Sequence, residues 1–258
     1  MARIAVFVLL LIFLVGASAL AQDKVEAILE IQDSRVETMK ELFLETVGQS
    51  ANPEKEYLYF VFADMAKIIE REKWTESQYG VYVDRNPSRQ MIFVFFFDCF
   101  LRSVKFIGAD KVSTGNPKRK GHFLTPIGVF ENTIKNFGYR ALGTKNDQGW
   151  KGLGEKGSRV WDFGWQKTDY KKEKRDIRLL LHATDLVYGE KRLGTIDSMG
   201  CIRISAKLNK FLDCYGILDK DYYENSKSIK AVSWLLRPNS QPIVFVGRYL
   251  LVSDSSLK

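Results

Sequence analysis

The chain has 258 residues, 45% of them hydrophobic and 27% charged, which excludes an intrinsically disordered chain, a collagen-like fibre and a disulfide-dense miniprotein. That length supports one large domain, or one domain with a smaller appendage, around a core of ordinary size. A balance of 39 Lys and Arg against 31 Asp and Glu gives a net charge of +8, which suits an anionic partner without identifying one, and three Cys with two His leave little room for a multi-ligand metal site.

Residues 1–21 begin with a basic Arg3, run through apolar residues from Ile4 to Val15, and close on Ala19-Leu20-Ala21. This is the layout of a secretory signal peptide, with Gln22 as the first mature residue. The apolar run is marginal for a membrane span, so membrane contact is expected only through this segment if it stays uncleaved. The expected location is outside the cytoplasm, in the periplasm or cell envelope. Residues 22–77 read as a helical extension. Val25, Ile28, Leu29, Val36, Met39, Leu42 and Phe43 fall at helical spacing up to Gly48, and Tyr57, Phe60, Val61, Met65, Ile68 and Ile69 mark a second helix from Glu54 to about Lys73. Together they predict a helical hairpin.

From Tyr79 the pattern changes to short strands. Val81 and Val83 alternate with Tyr82 and Asp84, Met91–Phe97 reads as a buried strand, and Val104–Ile107 as another. Residues 138–164 carry seven Gly among polar residues and read as a long loop. Gly152, Gly154 and Gly157 match G-x-G-x-x-G, but no apolar strand leads in and no amphipathic helix follows, so no nucleotide site is expected. Lys171–Arg175 reads as a solvated basic run. Ile177–His182 is a predicted strand ending in His182, Ser205 a predicted cap for a helix bearing Leu208, Phe211 and Leu212, and Ile243–Val252 a final strand. Residues 78–252 thus predict a mainly β domain of sandwich or barrel-like build with a short helix after Cys201, the whole being α+β once the N-terminal helices are counted. Residues 253–258 read as a tail.

Three cysteines in an exported chain leave at least one thiol unpaired. Cys99 and Cys214 read as structural, and whether they pair is open. Cys201 lies in the turn Ser198-Met199-Gly200-Cys201, where Gly200 permits close backbone approach to the sulfur. An ordinary thiol is only about 3% thiolate at pH 7, so a nucleophilic Cys201 needs a base within hydrogen-bond reach. His182, at a strand end, is the candidate. His122, in Gly-His-Phe-Leu-Thr-Pro, reads as a loop histidine.

The string His182-Ala-Thr-Asp followed by Ser198-Met-Gly-Cys201-Ile-Arg-Ile-Ser resembles the signature of the L,D-transpeptidase catalytic domain (YkuD) family. Val112-Ser113-Thr114-Gly115 and Thr125-Pro126-Ile127-Gly128-Val129-Phe130 resemble two further motifs of that family, in the same order. The resemblance spans Tyr79 to about Val252. It departs at Met199, where many members carry a second His, and at Ala183, where Gly or Ser is usual. The resemblance implies an exported peptidoglycan L,D-transpeptidase that forms 3→3 crosslinks through a thioester on Cys201, with His182 as base. It implies that Ser198, Gly200 and Ala183 shape the turn, the oxyanion site and the His182 ring. Arg203 would steer a substrate carboxylate. Trp161, Trp165 and Tyr170 fall just before the His182 strand, where they either line the cleft or pack in the core. No metal or organic cofactor is implied. The implied partners are stem peptides, with a wall-anchored lipoprotein as an alternative acceptor; no motif speaks for nucleic acid. An L,D-carboxypeptidase, or a non-catalytic wall-binding module, would preserve much of the same sequence.

Overall fold

The computed structural model describes residues 33–49, 51–170, 173–237 and 240–257. The expected signal peptide and the expected helical residues 24–32 lie outside them. Among the described residues no helix is long and apolar enough to cross a membrane. The chain divides into two compact units, 1–41 and 42–258. The described residues of the first are helical, and helix α1 is the label for residues 33–46.

In the second unit the elements run in chain order α2 (Lys55–Arg71), β1 (Gln78–Asp84), β2 (Met91–Asp98), β3 (Ser103–Lys111), β4 (Gly128–Glu131), β5 (Tyr139–Arg140), β6 (Arg159–Tyr170), β7 (Glu173–Ala183), β8 (Ile202–Ile204), α3 (Ala206–Tyr215), α4 (Lys220–Asn225), α5 (Lys230–Leu235) and β9 (Tyr249–Ser253). One sheet has the order β3-β2-β1-β9-β4, the other β5-β6-β7-β8. Both are mixed, because β1 runs parallel to β9 and β7 parallel to β8 while the other pairs are antiparallel. Two mixed sheets with helices, five of them among the described residues, make an α+β protein.

The apolar run of β2 is explained by cover on both of its faces. Phe93, Phe95 and Phe97 join Tyr82 and Leu251 in a cluster capped by the α2 stripe of Tyr57, Val61, Met65, Ile68 and Ile69. Each such side chain contributes about 2 kcal/mol of burial. The alternate residues Ile92, Val94 and Phe96 point to the opposite face and are also buried. Gly108 of β3 admits the Phe43 ring, which a Cβ would meet at 2.2 Å; that ring packs edge-on against Phe211 of α3 at 5.1 Å.

The cap expected for α3 is present. Ser205 Oγ accepts the Leu208 N–H at 3.1 Å, and Gly216 closes the helix in the left-handed region at φ 62°. Its buried face carries Leu208, Phe211 and Leu212. The predicted loop over 138–164 is shorter than expected, because β5 and the first half of β6 fall inside it. The charged residues that disguise this strand are paired internally: Arg159 meets Asp219 at 3.0 Å with both side chains fully buried, and Trp161 Nε1 donates to the same carboxylate at 3.1 Å. The last strand begins at Tyr249 rather than Ile243. Beyond Val252 the chain is tied down, with Ser253 Oγ donating to Asp64 at 2.7 Å and Asp254 paired to Arg85 at 3.0 Å.

Candidate active site

The turn that carries Cys201 is built by three segments distant in sequence. Ser113 exchanges two backbone hydrogen bonds with Arg203, and Asn116 N–H donates to the Ser198 carbonyl at 3.0 Å. Gly115 forms a bridge with Ser198. Thr125, fully buried, accepts the Gly115 N–H at 2.9 Å and donates to the Gly200 carbonyl at 2.8 Å. Within the turn, Ser198 Oγ accepts the Gly200 N–H at 3.0 Å and donates to the Cys201 carbonyl at 2.5 Å. Gly200 is required here: its φ is +135°, and a Cβ would meet Ile177 at 2.9 Å. Ser198 and Gly200 therefore shape the turn. The Gly200 N–H is already bound within it, whereas the Cys201 N–H takes no protein acceptor among the described residues.

The parallel β7–β8 ladder sets Leu181 beside Ile202 and His182 beside Arg203. Cys201, one residue before β8, thus lies against the β7 backbone. Its thiol donates to the Arg178 carbonyl at 3.8 Å, and the cysteine is free and half-buried. His182 is 3% exposed, and its Nδ1 donates to the Ala183 carbonyl at 2.6 Å. A carbonyl only accepts, so Nδ1 holds the proton and Nε2 holds the lone pair of the neutral ring. Each of the two side chains is held by a backbone carbonyl rather than by the other.

Electrostatics keep both groups neutral at rest. Burial lowers His182 to about 4, helped by the Arg203 charge and opposed by the Ala183 carbonyl. Burial pushes the Cys201 thiol up, outweighing the lowering by the Leu180 amide and Arg203. Desolvation is thus the larger effect on the thiol.

Two arginines are linked to Cys201, Arg203 through its charge and Arg178 through its backbone carbonyl. Arg203 donates to Asp197 at 3.1 Å, and Arg119 at 2.6 Å and Arg192 at 3.0 Å share that nearly buried carboxylate. Arg203, expected as a steering cation, is therefore engaged by Asp197. Arg178, which the sequence reading passed over, pairs with Asp162 at 2.7 Å. Trp165 stands opposite Arg178 in the β6–β7 register and is 66% exposed. His122 Nδ1 hydrogen-bonds the Ser198 carbonyl at 2.9 Å, so this loop histidine supports the turn from outside. Met199 is exposed. Cys99 and Cys214 are both free. Asp162, Asp197 and Arg178 escaped the sequence reading because each reaches its partner through the fold, and none sits in a motif.

No family profile matches the chain, and no curated protein matches it. Among solved structures it is similar to a fused Zn-dependent amidase/peptidase/peptidoglycan-binding domain-containing protein from Clostridium acetobutylicum, at TM-score 0.31 and 12% identity. That likeness covers 79% of this chain and 65% of the other, so the chain spans less than two thirds of the protein it matches.

Proposed function

We propose that this protein is an exported cysteine acyltransferase of the L,D-transpeptidase (YkuD) family acting on peptidoglycan stem peptides. One observation carries the reading. The separate sequence motifs that resemble that family meet at the one turn that carries Cys201: Ser113 and Gly115 from one, Thr125 from the next, and His182 in the strand paired with the residues that follow Cys201.

The chemistry follows from the neutral pair. A donor stem entering the site displaces the thiol from the Arg178 carbonyl, and the thiol proton passes to His182 Nε2 as the sulfur attacks the carbonyl of the third stem residue. The Cys201 N–H stabilises the oxyanion. The C–N bond to the terminal D-alanine breaks, His182 returns the proton to that amine, and a thioester remains. The amine of a neighbouring stem then attacks the thioester, forms a 3→3 amide and restores the thiol. The resting pair is uncharged, so no buried ion pair has to be maintained between turnovers.

Intact-mass measurement after incubation with a carbapenem tests the reading. A single adduct on Cys201, absent in Cys201→Ala, is the expected result. No adduct on the wild-type protein would overturn it. Defined muropeptides separate the acceptors: crosslinked dimers support transpeptidation, and tripeptide without dimers assigns the same site to a carboxypeptidase.

A further inference from the structure

The sheet face around Cys201 holds a guanidinium whose hydrogen-bonding capacity is only partly used. Arg178 binds Asp162 through Nε alone, at 2.7 Å. Asp162 is 1% exposed, and its other oxygen accepts the Gly164 N–H at 2.8 Å. Both oxygens of that carboxylate are therefore engaged. The arginine is not: Nη1 and Nη2 have no protein acceptor among the described residues, and the side chain is 48% exposed. The result is a fork with two parallel donors, fixed at its root and open at its tip. Carboxylates bind such a fork in bidentate fashion.

The surrounding backbone is built to present it. The register of β6 against β7 shifts between Asp162 and Trp165, a bulge of the kind that re-aims side chains beside functional sites. Gly164 enables it at φ +76°, where a Cβ would meet the Asn136 side chain at 2.7 Å. The shift sets Trp165 directly opposite Arg178 as an exposed apolar wall. The Cys201 thiol rests on the carbonyl of Arg178 itself, so fork and nucleophile share one residue of β7. Arg203, whose charge also acts on the sulfur, is 20% exposed and bound to Asp197.

We propose that Arg178, oriented by Asp162 and walled by Trp165, is a specificity residue that binds a carboxylate of the donor stem peptide. The proposal rests on the transpeptidase reading and extends it to how the donor is selected. The carboxylate is either the terminal one of the leaving residue or one on the side chain of the third residue, where that residue is a diamino dicarboxylic acid.

Three synthetic tetrapeptide stems test this: one with both carboxylates free, one amidated on the side chain and one amidated at the terminus. The rate of Cys201 thioester formation is followed by intact mass on the full chain. The expected result is that one amide, and not the other, slows the wild type at least tenfold, chiefly through KM. Arg178→Ala abolishes that discrimination and Arg178→Lys retains part of it. The double variant Arg178→Ala/Asp162→Asn gives the same loss without a bare buried carboxylate. Equal rates for all three peptides in the wild type, or discrimination that survives in Arg178→Ala, would overturn the proposal and leave the transpeptidase reading standing. Failure of the wild type to react with any of the three overturns both.

Discussion

Ser113 and Arg203 exchange backbone hydrogen bonds in both directions, at 3.0 and 2.9 Å. This pairing clamps a strand of only three residues. One edge of β8 is held by Leu181 and its neighbours in β7, the other by Ser113. The turn that carries Cys201 therefore runs directly into a strand held on both edges, and rigid support of this kind suits a nucleophile.

The neutral His182 makes a pH prediction with a definite sign. Its folded pKa of about 4 lies below the ordinary 6.5 of a histidine in an unfolded chain. Unfolding therefore takes up a proton between those values, and the stability contributed by the neutral ring is fully present above pH 6.5 and is lost as pH falls toward 4. The gap corresponds to roughly 3 kcal/mol. Urea unfolding of the wild type and of His182→Asn at pH 7.5 and pH 4.5 should show the wild type losing about 2 kcal/mol more than the variant. The acid limb of thioester formation should fall near pH 4. Iodoacetamide should label Cys201 at pH 7 more slowly than an ordinary exposed thiol, because burial raises its pKa. A limb at pH 6.5 would contradict the lowering of His182 by burial.

How much of this was legible depended on the distance over which each signal acts. The Ser205 cap and the Met91–Phe97 strand rest on neighbours within a few residues, and both are where the periodicity set them. Strand β6 was hidden because Arg159 and Asp162 look like surface residues until Asp219 and Arg178 are brought to them. Helices α4 and α5 have six residues each, too few for a helical period to register. In the site, His182 and Cys201 were readable from local strings. The three arginines on Asp197 come from separate segments, and nothing in the spacing of Arg119, Arg192 and Arg203 announces that they converge.

That convergence has a measurable consequence. Asp197 is 5% exposed and is the carboxylate shared by all three cations. Their charges hold it below the usual carboxylate range, although burial acts to raise it. Asp197→Asn leaves three guanidinium groups facing one another with no counter-charge. Arg119 and Arg192 are substantially exposed, which discounts the penalty to about 2 kcal/mol. Chemical denaturation at pH 7 should register that loss, and it should shrink in high salt as the cations are screened. A variant as stable as the wild type would show that solvent alone satisfies the cluster.

Thr125 separates the geometry of the turn from the chemistry of its sulfur. Its hydroxyl joins Gly115 to Gly200 and touches neither reactive side chain. Thr125→Val preserves shape but strands one buried N–H and one buried carbonyl, which costs about 3 kcal/mol for the pair. Thr125→Ser keeps both hydrogen bonds and should stay within about 1 kcal/mol of the wild type. If the turn must be held for Cys201 to meet a carbonyl, carbapenem acylation of the folded valine variant should fall at least tenfold while the serine variant keeps most of its rate, since small displacements of a reacting group are costly. Equal acylation by both variants would mean that Ser198 and the Ser113–Arg203 bridge hold the nucleophile without the hydroxyl.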